Sequence, residues 1–386
     1  MQSISPSPKT VAAIVIGGAI EWYDFIVYSL MTIYLAAVFF PSHDSTNSIL
    51  ATTATFGVAF FVRPVGASLL GLYADKRGRK SAMMLIIVLM SFALLMISML
   101  PTYARVGVLA PLLLIVARVL QGFSASGECG TASALLYELA PVEHRGFYSS
   151  WQTVAQTSGM IVGAMVGTLL TTVLRESDIY AWAWRVPFIL GLAIVPIGLY
   201  LRRQLSSQEE IFVKIQKYES SESYFYILKR HWPQLLIAVG LVAGGTATTY
   251  INLSYMATYA VKQLHLTMQT AFLVQFMCVS LLTLFVPVFG WLSDYIGSRK
   301  VFVIASISLY LLLVYPLFSW LNDGATLYKL IITQNILCFL LAPFFGVSTA
   351  MAAELFPIKI RAIALGLSSN LGVMMFGGFA QFMVTW

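Results

Sequence analysis

Gly71-Leu-Tyr-Ala-Asp75-Lys-Arg-Gly78-Arg79-Lys80 returns 219 residues later, in relaxed form, as Gly290-Trp-Leu-Ser-Asp294-Tyr-Ile-Gly297-Ser-Arg299-Lys300. A second pair, Glu138-Leu-Ala-Pro141-Val-Glu-His-Arg145-Gly146 and Glu354-Leu-Phe-Pro357-Ile-Lys-Ile-Arg361-Ala362, is offset by 216 residues. Two dissimilar motifs sharing nearly one offset imply a duplicated unit. Between the copies lies a polar stretch from about Arg202 to His231 with four Glu and six Lys or Arg, which reads as a linker. The spacing predicts a first unit over 1–201, a linker over 202–232 and a second unit over 233–386.

The material around these loops is apolar. Hydrophobic residues make up 59% of the 386 and charged residues only 10%, against about 25% charged in soluble domains. Apolar runs near the ~20 residues that cross a bilayer recur throughout, too long and continuous for barrel strands. They predict an all-α membrane protein with eleven spans, near 11–40, 49–73, 81–100, 107–136, 147–173, 184–201, 233–261, 269–292, 301–320, 328–353 and 362–385. The first carries Glu21 and Asp24 and lacks the uncharged core and cleavage site of a removable signal peptide. Such a parallel duplication, both copies pointing the same way, suits carriers that rock two bundles about a midplane site.

Cations fix the orientation. Sixteen of the 23 Lys and Arg fall in loops on one side of this map, including Lys76 to Lys80, Arg145, Arg299 and Arg361. Short loops rich in Lys and Arg stay cytoplasmic, so the amino terminus is expected inside. The net charge of +7 reflects that topology and not a nucleic-acid partner. Cys129, Cys278 and Cys338 stand singly, without metal-ligand spacing, and read as packed or lipid-facing thiols. Neither metal nor cofactor is expected. There is no G-x-S-x-G elbow and no Walker loop, so an enzyme is not expected and the driving force is a gradient.

The G-x3-D-[RK]-x-G-R-[RK] loop after the second span resembles the signature of the major facilitator superfamily, and Arg118-Val-Leu-Gln121-Gly122 resembles a further motif of it. Glu21-Trp-Tyr-Asp24-Phe-Ile-Val-Tyr28, Arg63-Pro64-Val-Gly66, Gln121-Gly122-Phe-Ser-Ala-Ser-Gly-Glu128 and Trp184-Arg185-Val-Pro187-Phe188 narrow the likeness. Together they are similar to the metabolite:proton symporter family, carriers of α-ketoglutarate, citrate, shikimate and proline or betaine. The resemblance implies two six-helix bundles in pseudo-twofold arrangement and twelve spans. The reading above has eleven, which leaves the second bundle one helix short.

Five charged side chains fall inside spans: Glu21, Asp24, Arg63, Arg118 and Glu128. Each costs about 2.5 to 3.5 kcal/mol at a helix centre and is therefore a functional candidate. Glu21, Asp24 and Tyr28 share one face of the first span; Arg118, Gln121 and Glu128 share one face of the fourth. Arg118 or Arg63 is expected to hold a substrate carboxylate with its planar fork, and Glu21, Asp24 or Glu128 to take the proton. Tyr28, Gln121, Gln152, Asn252 and Tyr255 are further substrate-binding candidates, the last two on a stripe with Thr248 and Tyr259. Acids and arginines are expected to neutralise one another in a shared cavity. Simple helix locking is the alternative reading for Arg63 and Glu128, and ordinary packing for the seventh-span stripe.

The loop motifs do a separate job. The resemblance implies a cytoplasmic latch of Asp75, Arg79 and Lys80 with Asp294 and Arg299 in the second copy, with Glu138 and Arg145, and Glu354 and Arg361, as matching partners. Gly159, Gly163 and Gly167 permit close helix packing on the fifth span. Ala164 stands where drug antiporters carry proline, which favours symport. The expected function is proton-coupled uptake of a small carboxylate-bearing metabolite by a monomer in the bacterial inner membrane. A proton antiporter of amphipathic compounds and a transport-inactive truncated protein are the rivals.

Overall fold

The computed structural model describes residues 8–77, 79–126, 129–192, 196, 229–358 and 360–386. The 202–232 linker lies almost wholly outside the described residues, as does Glu128. Eleven main helical stretches, beside the short helices Tyr103–Val106 and Glu176–Ala181 and with no strand among the described residues, stand where the apolar runs place them. In the first half these are α1 (Pro8–Leu30, resuming as Thr32–Phe39), α2 (Ser45–Arg77) and α3 (Arg79–Met99). Then come α4 (Leu109–Ser124, resuming as Cys129–Leu139), α5 (Arg145–Val173) and α6 (Ala183–Leu192). The second half has α7 (Trp232–Lys262), α8 (Met268–Ile296), α9 (Arg299–Asn322), α10 (Leu327–Glu354) and α11 (Arg361–Thr385). Seven are long and apolar enough to span a membrane alone, and α1 makes an eighth when its two segments count as one.

Local chemistry explains the irregularities. α1 bends by 59° beside Met31, where the Thr32 hydroxyl donates to the Ser29 carbonyl at 2.6 Å, the back-bonding that bends helices. In α7, Thr248 and Thr249 donate to the carbonyls of Gly244 and Gly245 at 2.7 and 2.9 Å, and the next seven residues, Thr249–Tyr255, form a π turn. Thr267 starts α8 by accepting the Thr270 N–H. The same helix ends at Gly297 with φ of 74°, a left-handed position that glycine fills without Cβ strain. This is the glycine of the repeated loop motif.

The halves meet along α5 with α8 and α10, α11 with α2 and α4, and α1 with the π turn of α7. The glycine stripe of α5 serves both neighbours: a Cβ on Gly159 would stand 2.6 Å from the Ala19 carbonyl of α1 in the same half, and one on Gly167 would stand 2.9 Å from the Phe272 ring of α8 in the other. One core of buried side chains runs from Tyr23 through Phe60, Trp184, Phe272 and Phe345. On the outside, α9 shows Ile304, Leu311, Leu312 and Tyr315 largely exposed. An apolar exterior of that kind is the mark of a lipid-facing helix.

Candidate functional site

Two guanidinium groups lie inside the first half among aromatic rings. Arg118 of α4 is fully buried, its Cζ 4.3 Å from the centre of the Tyr28 ring, 4.7 Å from Phe25 and 5.0 Å from Phe56. Arg63 of α2 sits 4.5 Å from the Phe25 ring and 4.8 Å from Phe60. Phe25 is thus shared by both cations. Tyr250 from the α7 π turn closes the cage, packing edge-on against Phe56 and Phe60, each at 5.4 Å. Ring quadrupoles stabilise a desolvated cation by about 2 kcal/mol or more, so the aromatics hold both arginines without quenching their charge.

Their hydrogen-bonding capacity is only partly used. Arg118 Nη1 donates to Gln121 Oε1 at 2.6 Å. Nε and Nη2 of Arg118 and Nε of Arg63 have no partner. Neither arginine forms an ion pair with a described acid. The expected mutual neutralisation of Asp24 with these cations is therefore not observed. Asp24 is buried and both its oxygens lack hydrogen-bond partners. Its carboxyl faces Gly191 of α6, in a site also bordered by Leu94 of α3, whereas Tyr28, one turn on, faces α4. Glu21 is half-buried on α1.

A narrow gap lies between the halves, lined by Trp22, Thr153, Gln156, Thr157 and Met160 from the first half and Thr249, Leu253, Leu282 and Phe345 from the second. Of these, Gln156 and the three threonines supply hydrogen-bonding groups, and no lining side chain is charged. Gln152 lies one turn below Gln156, buried but outside the gap. The Gln152, Thr153, Gln156, Thr157 repeat on α5 is the sequence signal for this face, and of its members Gln152 alone stands among the expected substrate-binding residues. The α7 stripe faces elsewhere. Asn252 donates to the Tyr310 hydroxyl of α9 at 2.5 Å, and Tyr259 donates to Asn322 at the end of α9 at 2.8 Å. Tyr255 is hydrogen-bonded to Thr385 of α11. A π turn widens the helix by one residue, so an α-helical wheel assigns its faces wrongly. Thr249 and Leu253 meet the gap instead.

At the end of the bundle bearing the repeated loops, charged groups clasp the two halves together. Asp294 accepts the backbone N–H of Gly146 and of Phe147, both at 2.8 Å, while Arg299 bonds it at 3.2 Å. A carboxylate on the first turn of α5 satisfies donors the helix cannot, and complements its dipole. Arg299 also reaches Glu354 at 2.6 Å, and Arg361 reaches Glu138 of the other half at 3.0 Å. Arg145 and Arg361 lie over the Tyr137 ring at 4.6 and 4.8 Å. Glu138 of the first half thus pairs across with Arg361 of the second, whereas Glu354 pairs within its own half with Arg299. Helices carrying Asp75, Arg79 and Lys80 are described, but those three side chains lie outside the described residues.

The family model for the sugar (and other) transporters matches residues 10–205 and 200–385. The chain belongs to that transporter family. Among its relatives, the glycine betaine/proline/ectoine/pipecolic acid transporter OusA of Dickeya dadantii is 35% identical over 96% of this chain and 75% of its own length. The citrate-proton symporter of Klebsiella pneumoniae is 32% identical over 96% and 83%. In fold, a crystal structure of a D-xylose-proton symporter superposes with a TM-score of 0.72 at 17% identity, covering 98% of this chain and 88% of that one. The architecture is thus the major facilitator fold, and this member of the family is a multi-pass transporter and not an enzyme. The caged arginines and the gap are buried among its packed helices, and the clasp lies at the loops that join α4 to α5, α8 to α9 and α10 to α11.

Proposed function

We propose that this transporter carries a small carboxylate-bearing metabolite, an organic acid or a proline- or betaine-like compound, together with protons. The observation that carries the reading is the pair of caged guanidinium groups with N–H groups left over and no described acid to take them. A buried cation without a counter-ion is a vacancy for an anion, and a planar fork meets a carboxylate through two charge-assisted hydrogen bonds. Arg118 and Arg63 are the carboxylate ligands. Gln121 and Tyr28 hold Arg118 in place, while Gln156, Thr153, Thr157 and Thr249 serve the rest of the substrate across the gap. Asp24 or Glu21, or Glu128 beyond them, carries the proton. Relatives that transport betaine and proline, or citrate with protons, support both halves of the reading.

The chain works as a monomer in the bacterial inner membrane, with its amino terminus, linker and clasp on the cytoplasmic side. No nucleic acid is involved, because the basic groups lie in loops at the membrane surface. Units 1–201 and 233–386 rock about the gap, and the clasp of Asp294, Arg299, Glu138 and Arg361 closes the cytoplasmic face. The test is uptake of labelled α-ketoglutarate, citrate, succinate, shikimate, proline and glycine betaine into vesicles, with and without an inward proton gradient. Gradient-dependent accumulation of one compound is expected. Export of amphipathic compounds, or no uptake of any compound by protein present in the membrane, would overturn the proposal.

A further inference from the structure

Asp24 sits on a site where only glycine leaves room for it. A Cβ on Gly191 would stand 2.5 Å from the Asp24 Oδ1 and 3.4 and 3.5 Å from the two methyl carbons of Leu94. Contacts below 3.0 Å are not tolerated by real Cβ atoms, so any other residue at 191 must move either the carboxyl or the helix. The helix is the less free of the two. One turn before Gly191, the Pro187 carbonyl accepts the Tyr23 hydroxyl at 2.7 Å, tying α6 to the residue next to Asp24. Arg185 donates to the Leu100 carbonyl at the end of α3 at 2.9 Å, and Trp184 is fully buried edge-on against Phe39 at 5.2 Å. The Trp184-Arg185-Val-Pro187-Phe188 motif thus anchors α6 to α1 and α3 around the carboxyl.

We infer that Gly191 is the positioning residue of the proton site: it keeps a side-chain-sized space on α6 in which the Asp24 carboxyl rests against backbone, away from water. The inference depends on the reading that Asp24 carries the proton. With both oxygens lacking a donor and the residue 2% exposed, a proton held here cannot pass to solvent until α1 and α6 separate. Proton exchange is thereby tied to a helix movement and not to diffusion through the central gap. The O–H bond of the acid breaks only then, its proton leaving to water and its electron pair staying on the carboxylate.

Infrared difference spectroscopy on the purified full chain in lipid bilayers tests this, with the carbonyl stretch of the Asp24 acid identified by its loss in Asp24→Asn. Gly191→Ala is expected to shift or abolish that band, because the methyl displaces the carboxyl. Leu94→Ala, which removes the apolar wall beside the carboxyl without crowding it, is expected to shift the same band, and it keeps the test decisive if Gly191→Ala fails to insert. A band unchanged in both variants would overturn the inference while leaving Asp24 as the proton carrier. Should Asp24→Asn remove no carbonyl band, the reading of Asp24 itself fails, and the role of Gly191 with it.

Discussion

Replacing Asp294 by alanine should unlock the clasp between the halves, and the structure sets the size of the effect. The side chain accepts two backbone N–H groups on the first turn of α5 at 2.8 Å each and one guanidinium at 3.2 Å. Hydrogen bonds to charged groups contribute about 1.5 to 3 kcal/mol each. Losing the two backbone bonds alone therefore costs the closed state about 3 kcal/mol, even at the lower figure. At ~1.4 kcal/mol per factor of ten, the closed-to-open ratio falls about 100-fold. Asp294→Asn keeps one carbonyl oxygen as an acceptor but no charge, so a fall of roughly tenfold is expected. Ser150 is fully buried and packs beside Gly290 where α5 and α8 meet, so a cysteine there reports opening. In a chain with Cys129, Cys278 and Cys338 changed to serine, Ser150→Cys should react slowly with an impermeant maleimide added on the face proposed to be cytoplasmic. Asp294→Asn should speed the reaction and Asp294→Ala should speed it further. Equal labelling rates in all three backgrounds, with protein intact, would refute the assignment of this end as a clasp that Asp294 holds shut.

Arg118→Lys keeps a positive charge but loses the planar fork and most of its ring contacts, so KM for the transported compound should rise at least tenfold with little change in expression; an unaltered KM would remove Arg118 from the substrate site. Asn252→Ala and Tyr310→Phe should each lower thermal stability in detergent by the net worth of one hydrogen bond, about 0.5 to 1.5 kcal/mol, and leave KM unchanged, because their contact joins α7 to α9. A large KM effect from Asn252→Ala would place it at the substrate after all. Gly122→Ala drives a methyl into the Ala59 backbone, and overpacking of that kind costs about 1 to 3 kcal/mol or more, so the melting temperature should drop sharply, read by fluorescence-detected unfolding.

Much of this molecule is written locally. Apolar runs must become helices in lipid because no other element satisfies its own backbone there, which is why the described helices fall where the hydropathy places them. The repeated loops declare themselves because the same chemistry must be built twice, at the glycine with φ of 74° and at Asp294 alike. Arg63 and Arg118 stand out because a charge in an apolar run carries a cost that only function or pairing offsets. Partners are a different matter. Nothing in the order of residues shows that Glu138 meets Arg361, 223 residues away, or that Glu354 meets Arg299 rather than Arg361, since ion pairs depend on which helix ends the halves bring together. Helical spacing put Asp24 on the arginine side, but the packing of α6 at Gly191 gave its carboxyl a separate niche. The π turn of α7 aimed Asn252 at α9 and Thr249 at the gap, because one extra residue per turn rotates everything beyond it. Sequence alone determined the helices, the duplication and the identity of the buried charges, all consequences of the bilayer acting on each segment separately; only the tertiary structure decided which charges meet, which stay unmet and which face borders the gap, because those depend on contacts between segments far apart in the chain.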